Sequence, residues 1–167
     1  AFRAAAVGGG RGITVCAPGL DAPRPAEGLR RALEAAGHLG ARQIRTTLSK
    51  ILCGERRLVG GLGGWRALLR DAAGVLREIA PEASARGMRI AVENHQDATS
   101  WDLLELASAT GSPAVGVTLD TGNPLAVGED IMKFTRRVLP SLVNVHLKDY
   151  RMFGTASSPS SAASFTR

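Results

Sequence analysis

The chain has 167 residues, 44% of them hydrophobic and only 4% aromatic, enough for one globular core built from aliphatic side chains and alanine. The net charge is +6 and the sequence pI about 10.3, but the arginines are scattered, so a solvated basic surface is read ahead of a nucleic-acid footprint. No run reaches the ~20 apolar residues of a membrane span, no signal-peptide pattern is present, and Cys16 and Cys53 form no CxxC pair, so a reduced, cytoplasmic protein is expected.

Residues 1–12 are small and glycine-rich. Gly8-Gly9-Gly10-Arg11-Gly12 lacks the Gly-Lys-Ser/Thr ending of a phosphate loop and precedes a strand instead of following one, so a flexible lead-in is expected there. Residues 13–17 read as a strand closed by Pro18-Gly19. Pro23 and Pro25 lead into a helix over 26–36 with Leu29, Leu33 and Ala36 on one face, ended by Gly37 or Gly40, and His38 is read as a helix-end residue without chemistry. Residues 42–48 form a more polar strand. Its Arg45 is read as a surface or ion-pairing arginine, with contact to an anionic substrate group as the alternative. A loop over 53–64 precedes the clearest helix, opened by Trp65, whose stripe of Trp65, Leu68, Leu69, Ala72, Leu76 and Ile79 is packing. Gly87 separates this helix from a strand over 88–95. Ser100 is the expected N-cap of a helix through Ala107, and Pro113 starts a strand over 114–120. Glu129 and Asp130 open a helix through Leu139 that buries Ile131, Phe134 and Val138. Pro140 ends it, and a fifth strand begins at Leu142. After Phe153 the composition turns to Ser, Ala, Thr and Pro without apolar period, and 154–167 are expected to be disordered.

Five strands alternate with four helices, so the expected fold class is α/β with a parallel sheet and right-handed crossovers. Three of the strands end alike. Val92-Glu93-Asn94-His95, Val117-Thr118-Leu119-Asp120 and Val143-Asn144-Val145-His146 each run from apolar residues into a metal-ligand type. Glu93 and Asp120 are 27 residues apart, and Asp120 and His146 are 26 apart, close to the roughly 30 residues per unit of a (β/α)8 barrel. Functional side chains of α/β folds collect at the carboxyl ends of such strands. Asp120 is also an ordinary turn residue. Lys148 and Asp149 are read either as a salt bridge at the strand end or as an anion contact, and His95 either as a residue sharing the face of Glu93 or as a turn residue.

With Leu119-Asp120-Thr121-Gly122-Asn123 and Val145-His146-Leu147-Lys148-Asp149, these segments resemble the xylose isomerase-like TIM barrels, the sugar phosphate isomerase/epimerase group, over roughly Ile13 to Tyr150. The resemblance implies a partial (β/α)8 barrel over 1–153 whose five parallel strands correspond to the third to seventh. It implies a divalent metal, Mn²⁺, Mg²⁺, Co²⁺ or Zn²⁺, on Glu93, Asp120 and His146. It implies proton transfer beside a chelated carbonyl through an enediolate, with Glu93 as one of two catalytic acid/base groups and Asn123 at a substrate-binding position; His95 and Lys148 are the further candidate substrate contacts, each with the alternative given above. Asn123 stands where some relatives carry a histidine and could bond a hydroxyl without moving a proton. The fourth ligand of that family is a glutamate, and none follows Glu129. Whether this chain is itself an enzyme is therefore left open. The readings are a metal-dependent isomerase or epimerase acting on a small sugar or sugar phosphate, a catalytically inactive barrel piece, and, ranked lower with three histidines in all, an endonuclease IV-like nucleic-acid enzyme. Exposed sheet edges would favour a homo-oligomer, and no membrane partner is expected.

Overall fold

The structure is a computed structural model that describes residues 12–149, together with the backbone of 4–7, 151–153 and 164–166. The strands β1 (Ala4–Val7), β2 (Gly12–Cys16), β3 (Gln43–Thr47), β4 (Arg89–Glu93), β5 (Val115–Asp120) and β6 (Leu142–His146) form one sheet in the order β1-β2-β3-β4-β5-β6. From β2 to β6 every pairing is parallel. The helices α1 (Pro25–His38), α2 (Gly61–Ala85), α3 (Ser100–Thr110) and α4 (Ile131–Val138) fill the crossovers. The five expected parallel strands are therefore present, alternating with helices as part of a TIM barrel.

The strand alternation separates two faces. Ile44, Ile90, Val92, Val117 and Leu119 join Leu29, Leu33, Trp65, Leu76, Leu103 and Phe134 from the helices in one buried core. The opposite face carries Arg45, Ala91 and Gly116 in one register row and Thr47, Glu93 and Thr118 in the next. This face would line the inside of a barrel and bears the polar side chains. The central strand β5 is buried at every position, whereas β6 is only partly covered and lies at one edge of the sheet.

Several boundaries differ from the sequence expectations. Part of the expected lead-in, Ala4–Val7, is a strand antiparallel to β2, while 1–3 and 8–11 lie outside the described residues. Helix α2 begins at Gly61, four residues before Trp65, because Trp65 and Leu69 are anchored in the core and tertiary packing outweighs the poor helix propensity of Gly61, Gly63 and Gly64. Thr99, not Ser100, caps α3. Its Oγ1 accepts from Asp102 N at 3.2 Å, and Asp102 Oδ2 accepts from Thr99 N at 2.8 Å, a reciprocal capping box. Asp130 alone caps α4, through Lys133 N at 2.9 Å. Within the segment expected to be disordered, Ser164–Thr166 pairs antiparallel with Arg151–Phe153. The rest of that segment lies outside the described residues.

One irregularity positions the site. Val117 faces Leu142, but Thr118 faces Asn144, so Val143 is an extra residue in β6. The bulge places His146 directly opposite Asp120. A regular ladder would have put Val145 there. Gly116 makes room for it: a Cβ on Gly116 would lie 2.5 Å from both Ser141 O and Val143 Cγ2.

Candidate metal centre

Glu93, Asp120 and His146 converge at the carboxyl ends of β4, β5 and β6. Each offers a ligand atom, and these atoms lie within 4.8 Å of one another. Glu93 and Asp120 are buried and His146 is partly exposed. Asn94, which follows Glu93, locks two of the strands together: its Nδ2 donates to Asp120 O at 3.0 Å and its Oδ1 accepts from Asp120 N at 2.6 Å. Asp120 Oδ1 also accepts from Gly122 N at 3.1 Å, which fixes the carboxylate against the turn. Asn144 Nδ2 lies 3.3 Å from His146 Nε2, and His146 Nδ1 lies 3.2 Å from Glu93 Oε1. With Asn144 donating, the Nδ1–H tautomer donates to Glu93.

Burial pushes the Glu93 carboxyl up, the largest single influence on it. The His146 hydrogen bond and the charges of Arg45, His146 and His95 outweigh it and hold the group below its ordinary value of 4.5. Glu93 is therefore a carboxylate near neutral pH. Two oxygen donors and one imidazole nitrogen, held by backbone locks and open to solvent on one side, suit a divalent cation.

Two cations flank the triad. Arg45, from β3, is ion-paired with Glu93, which realises the ion-pairing reading of this residue. Lys148 Nζ lies 2.5 Å from Asp120 Oδ2 and 3.2 Å from Asn123 Oδ1. Asn123 is thus brought to the site, buried, through Lys148. Next to them, Thr121, Gly122, Leu125 and Ile131, with the acids Glu129, Asp130 and Asp149, line an open cleft of about 280 Å³ that Lys148 borders.

His95 is placed differently from the continuing-strand reading. The strand ends at Glu93, and His95 N donates back to Glu93 O at 2.9 Å in a tight turn. Its Nδ1 is buried without a hydrogen-bond partner, and its charge acts on both Glu93 and Asp97. Sequence reasoning passed over Asn94 and Asp97. Asp97 is fully buried, and its Oδ2 accepts from Ser49 N and Oγ, both at 2.8 Å, tying the loop after β3 to the loop after β4. Its position four residues beyond Glu93 was the available signal.

Comparison with known proteins agrees with this architecture. The family described as "Xylose isomerase-like TIM barrel" matches residues 3–159. A 3-oxo-isoapionate decarboxylase of Pectobacterium atrosepticum is 30% identical over 80 residues, covering 48% of this chain and 29% of the relative. Among solved structures, 3-keto-D-glucoside 4-epimerase from E. coli aligns with a TM-score of 0.66 at 15% identity, over 81% of this chain and 58% of that one. A xylose isomerase-like TIM barrel protein from Mycobacterium smegmatis in complex with magnesium aligns with a TM-score of 0.64 at 20% identity, over 86% and 51%. At such identities the structural likeness establishes the fold. This chain spans about half the length of these solved structures and under a third of the decarboxylase. A parallel half-barrel with Glu, Asp and His at successive strand ends, matched by the family over nearly its whole length, places this chain in the xylose isomerase-like TIM barrel family.

Proposed function

We propose that Glu93, Asp120 and His146 hold a divalent cation, and that the barrel to which they belong moves a proton beside the carbonyl of a small sugar. The observation that carries this reading is the convergence of three ligand atoms from three strands within 4.8 Å. Mn²⁺, Mg²⁺, Co²⁺ and Zn²⁺ all suit the donor set, and such an ion supplies Lewis acidity to a carbonyl and its neighbouring hydroxyl. Glu93 is the base. Ionised and fixed by Arg45 and His146, it takes the proton from the carbon next to the carbonyl, the C–H electron pair passes into the enediolate, and the proton is returned to carbon. Asn94 and Gly122 keep Asp120 from turning away. Lys148, Asn123 and His95 are the substrate contacts at the mouth, and the cleft beside Lys148 has room for a polyol. The relatives include epimerases and a decarboxylase by name, so the fate of the enediolate is a property of each barrel and not of the fold.

Calorimetric titration of Mn²⁺ into this chain tests the reading. Saturable one-to-one binding, weakened by about a hundredfold or more in Asp120→Ala, is the expected result. A folded chain that takes up no Mn²⁺, or whose Asp120→Ala variant binds equally well, would overturn it.

A further inference from the structure

Asp97, a buried acid outside the triad, has one oxygen that the fold leaves unused. Its Oδ2 accepts both Ser49 bonds, so that oxygen alone ties the β3 loop to the β4 loop. Its Oδ1 is buried without a hydrogen-bond partner. A buried carboxylate is costly, and the loop tie needs only an acceptor, which a neutral side chain could supply. The unused oxygen is the part that the tie leaves unexplained. The triad acids differ in this respect. Glu93 Oε1 and Oε2 face His146 and Arg45, and Asp120 Oδ1 and Oδ2 face Gly122 and Lys148.

The matching orphan lies two residues back. His95 Nδ1 is buried and also without a partner, whereas Nε2 is not among such atoms. The ring as a whole is partly exposed, so Nε2 is the nitrogen on the open side. The backbone around this ring is pinned. His95 N donates to Glu93 O, and Gly54 N donates to Gln96 O, both at 2.9 Å. The charge of His95 also acts on Asp97. What remains to be set is which ring nitrogen carries the proton, and a hydrogen bond at one nitrogen settles that for both. A carboxylate on the Nδ1 side brings negative charge that favours an N–H there, so it selects Nδ1–H. The two atoms make no direct bond. One water satisfies both, accepting from Nδ1–H and donating to Oδ1.

We propose that Asp97 is a positioning residue for His95: through one buried water its Oδ1 holds the imidazole as the Nδ1–H tautomer and leaves Nε2 at the mouth as a hydrogen-bond acceptor. Its use there, accepting a substrate hydroxyl, rests on the sugar reading above, but the tautomer itself needs neither metal nor sugar. Two-bond ¹⁵N–¹H correlation spectra of the ¹⁵N-labelled chain at about pH 8.5 read the tautomer of each histidine. The chain has three histidines, and His95→Gln assigns the signals of His95. Wild type is expected to show Nδ1 protonated and Nε2 unprotonated. In Asp97→Asn the Ser49 donors hold the amide oxygen at the Oδ2 position, so the amide nitrogen takes the Oδ1 position. A donor then stands where an acceptor stood, and the tautomer reverses to Nε2–H. A carboxylate that served only the loop tie would leave the tautomer unchanged in this variant, because the tie survives. Ser49→Ala weakens the tie but keeps Oδ1 and its charge, so Nδ1–H is retained. A wild-type spectrum with Nε2 protonated, or with the proton shared between the nitrogens, overturns the proposal even where Asp97→Asn does not fold. A folded Asp97→Asn variant that keeps Nδ1–H overturns it too, as does a Ser49→Ala variant that loses Nδ1–H. Each of these results leaves the metal reading standing, which the Mn²⁺ titration tests separately.

Discussion

Asp97 carries a cost that the neighbouring acids avoid. Burial raises its carboxyl above the ordinary 3.8, and the Ser49 hydrogen bonds and the charge of His95 offset only part of the rise. Its Oδ1 is buried without a partner. The folded state therefore holds this proton longer than the unfolded state does. The stability contributed by this group is fully present below 3.8 and is lost as pH climbs through the raised value. Asp97→Asn keeps an acceptor for Ser49 and removes the charge. Relative to wild type, the variant should gain about 1 kcal/mol between pH 4 and pH 7. Urea unfolding at several pH values reads this difference directly, and a variant less stable than wild type by the same margin at every pH would refute it. A second prediction at this scale concerns Gly74, in the middle of α2, where a Cβ would meet nothing within 4 Å. Gly74→Ala removes backbone freedom from the unfolded chain without crowding the folded one, so it should stabilise by about 0.5–1 kcal/mol in the same assay.

The site depends on elements as well as on residues, and the bulge in β6 is the clearest case. Without Val143 as the extra residue, β6 would present Val145 to Asp120, and His146 would fall out of register with it. Gly116→Ala places a Cβ 2.5 Å from Ser141 O and Val143 Cγ2, on the bulge itself. The expected outcome is a loss of about 1–3 kcal/mol in urea unfolding, accompanied by weaker Mn²⁺ binding although no ligand has been altered. Lost stability with unchanged Mn²⁺ affinity would show that the bulge does not set the His146 position. This is also where sequence reading reached its limit. An acid or imidazole at the end of an apolar run is a local pattern, so Glu93, Asp120 and His146 could be picked out, and so could the alternation of strands and helices. The bulge is a relation between two strands whose paired residues lie some 25 positions apart, and no local pattern marks it. The Asn94 lock on Asp120 spans 26 positions and was equally hidden. Thr99 and Ser100 are both good cap types, and only the reciprocal bond with Asp102 decides between them. Arg45 was readable as an ion-pairing arginine, but its partner was not, since Glu93 lies 48 residues away.

At the scale of the whole molecule, the sheet is buried in the middle and open at one side. Every position of β5 is buried, whereas all five of β6 are at least partly exposed, and among the described residues no further strand pairs with its outer edge. Beside that edge, Val145 is 38% and Leu147 89% exposed. An unpaired edge flanked by exposed aliphatic side chains is a template for another strand. The chain is therefore expected to self-associate through β6, with a sedimentation coefficient that rises with concentration. Val145→Lys together with Leu147→Lys places charge along the edge and should weaken the association by about tenfold or more, leaving the far-UV circular dichroism of the fold unchanged. A wild-type chain that sediments as a monomer throughout the micromolar range, or one whose association the double substitution leaves intact, would show that this edge is not the contact. The outcome bears on the metal centre as well, because His146 is the last residue of β6. A strand added to that edge would reduce the fraying of β6 and hold His146 against Asp120 more firmly. Mn²⁺ affinity should accordingly rise with protein concentration in the wild type and stay flat in the double variant.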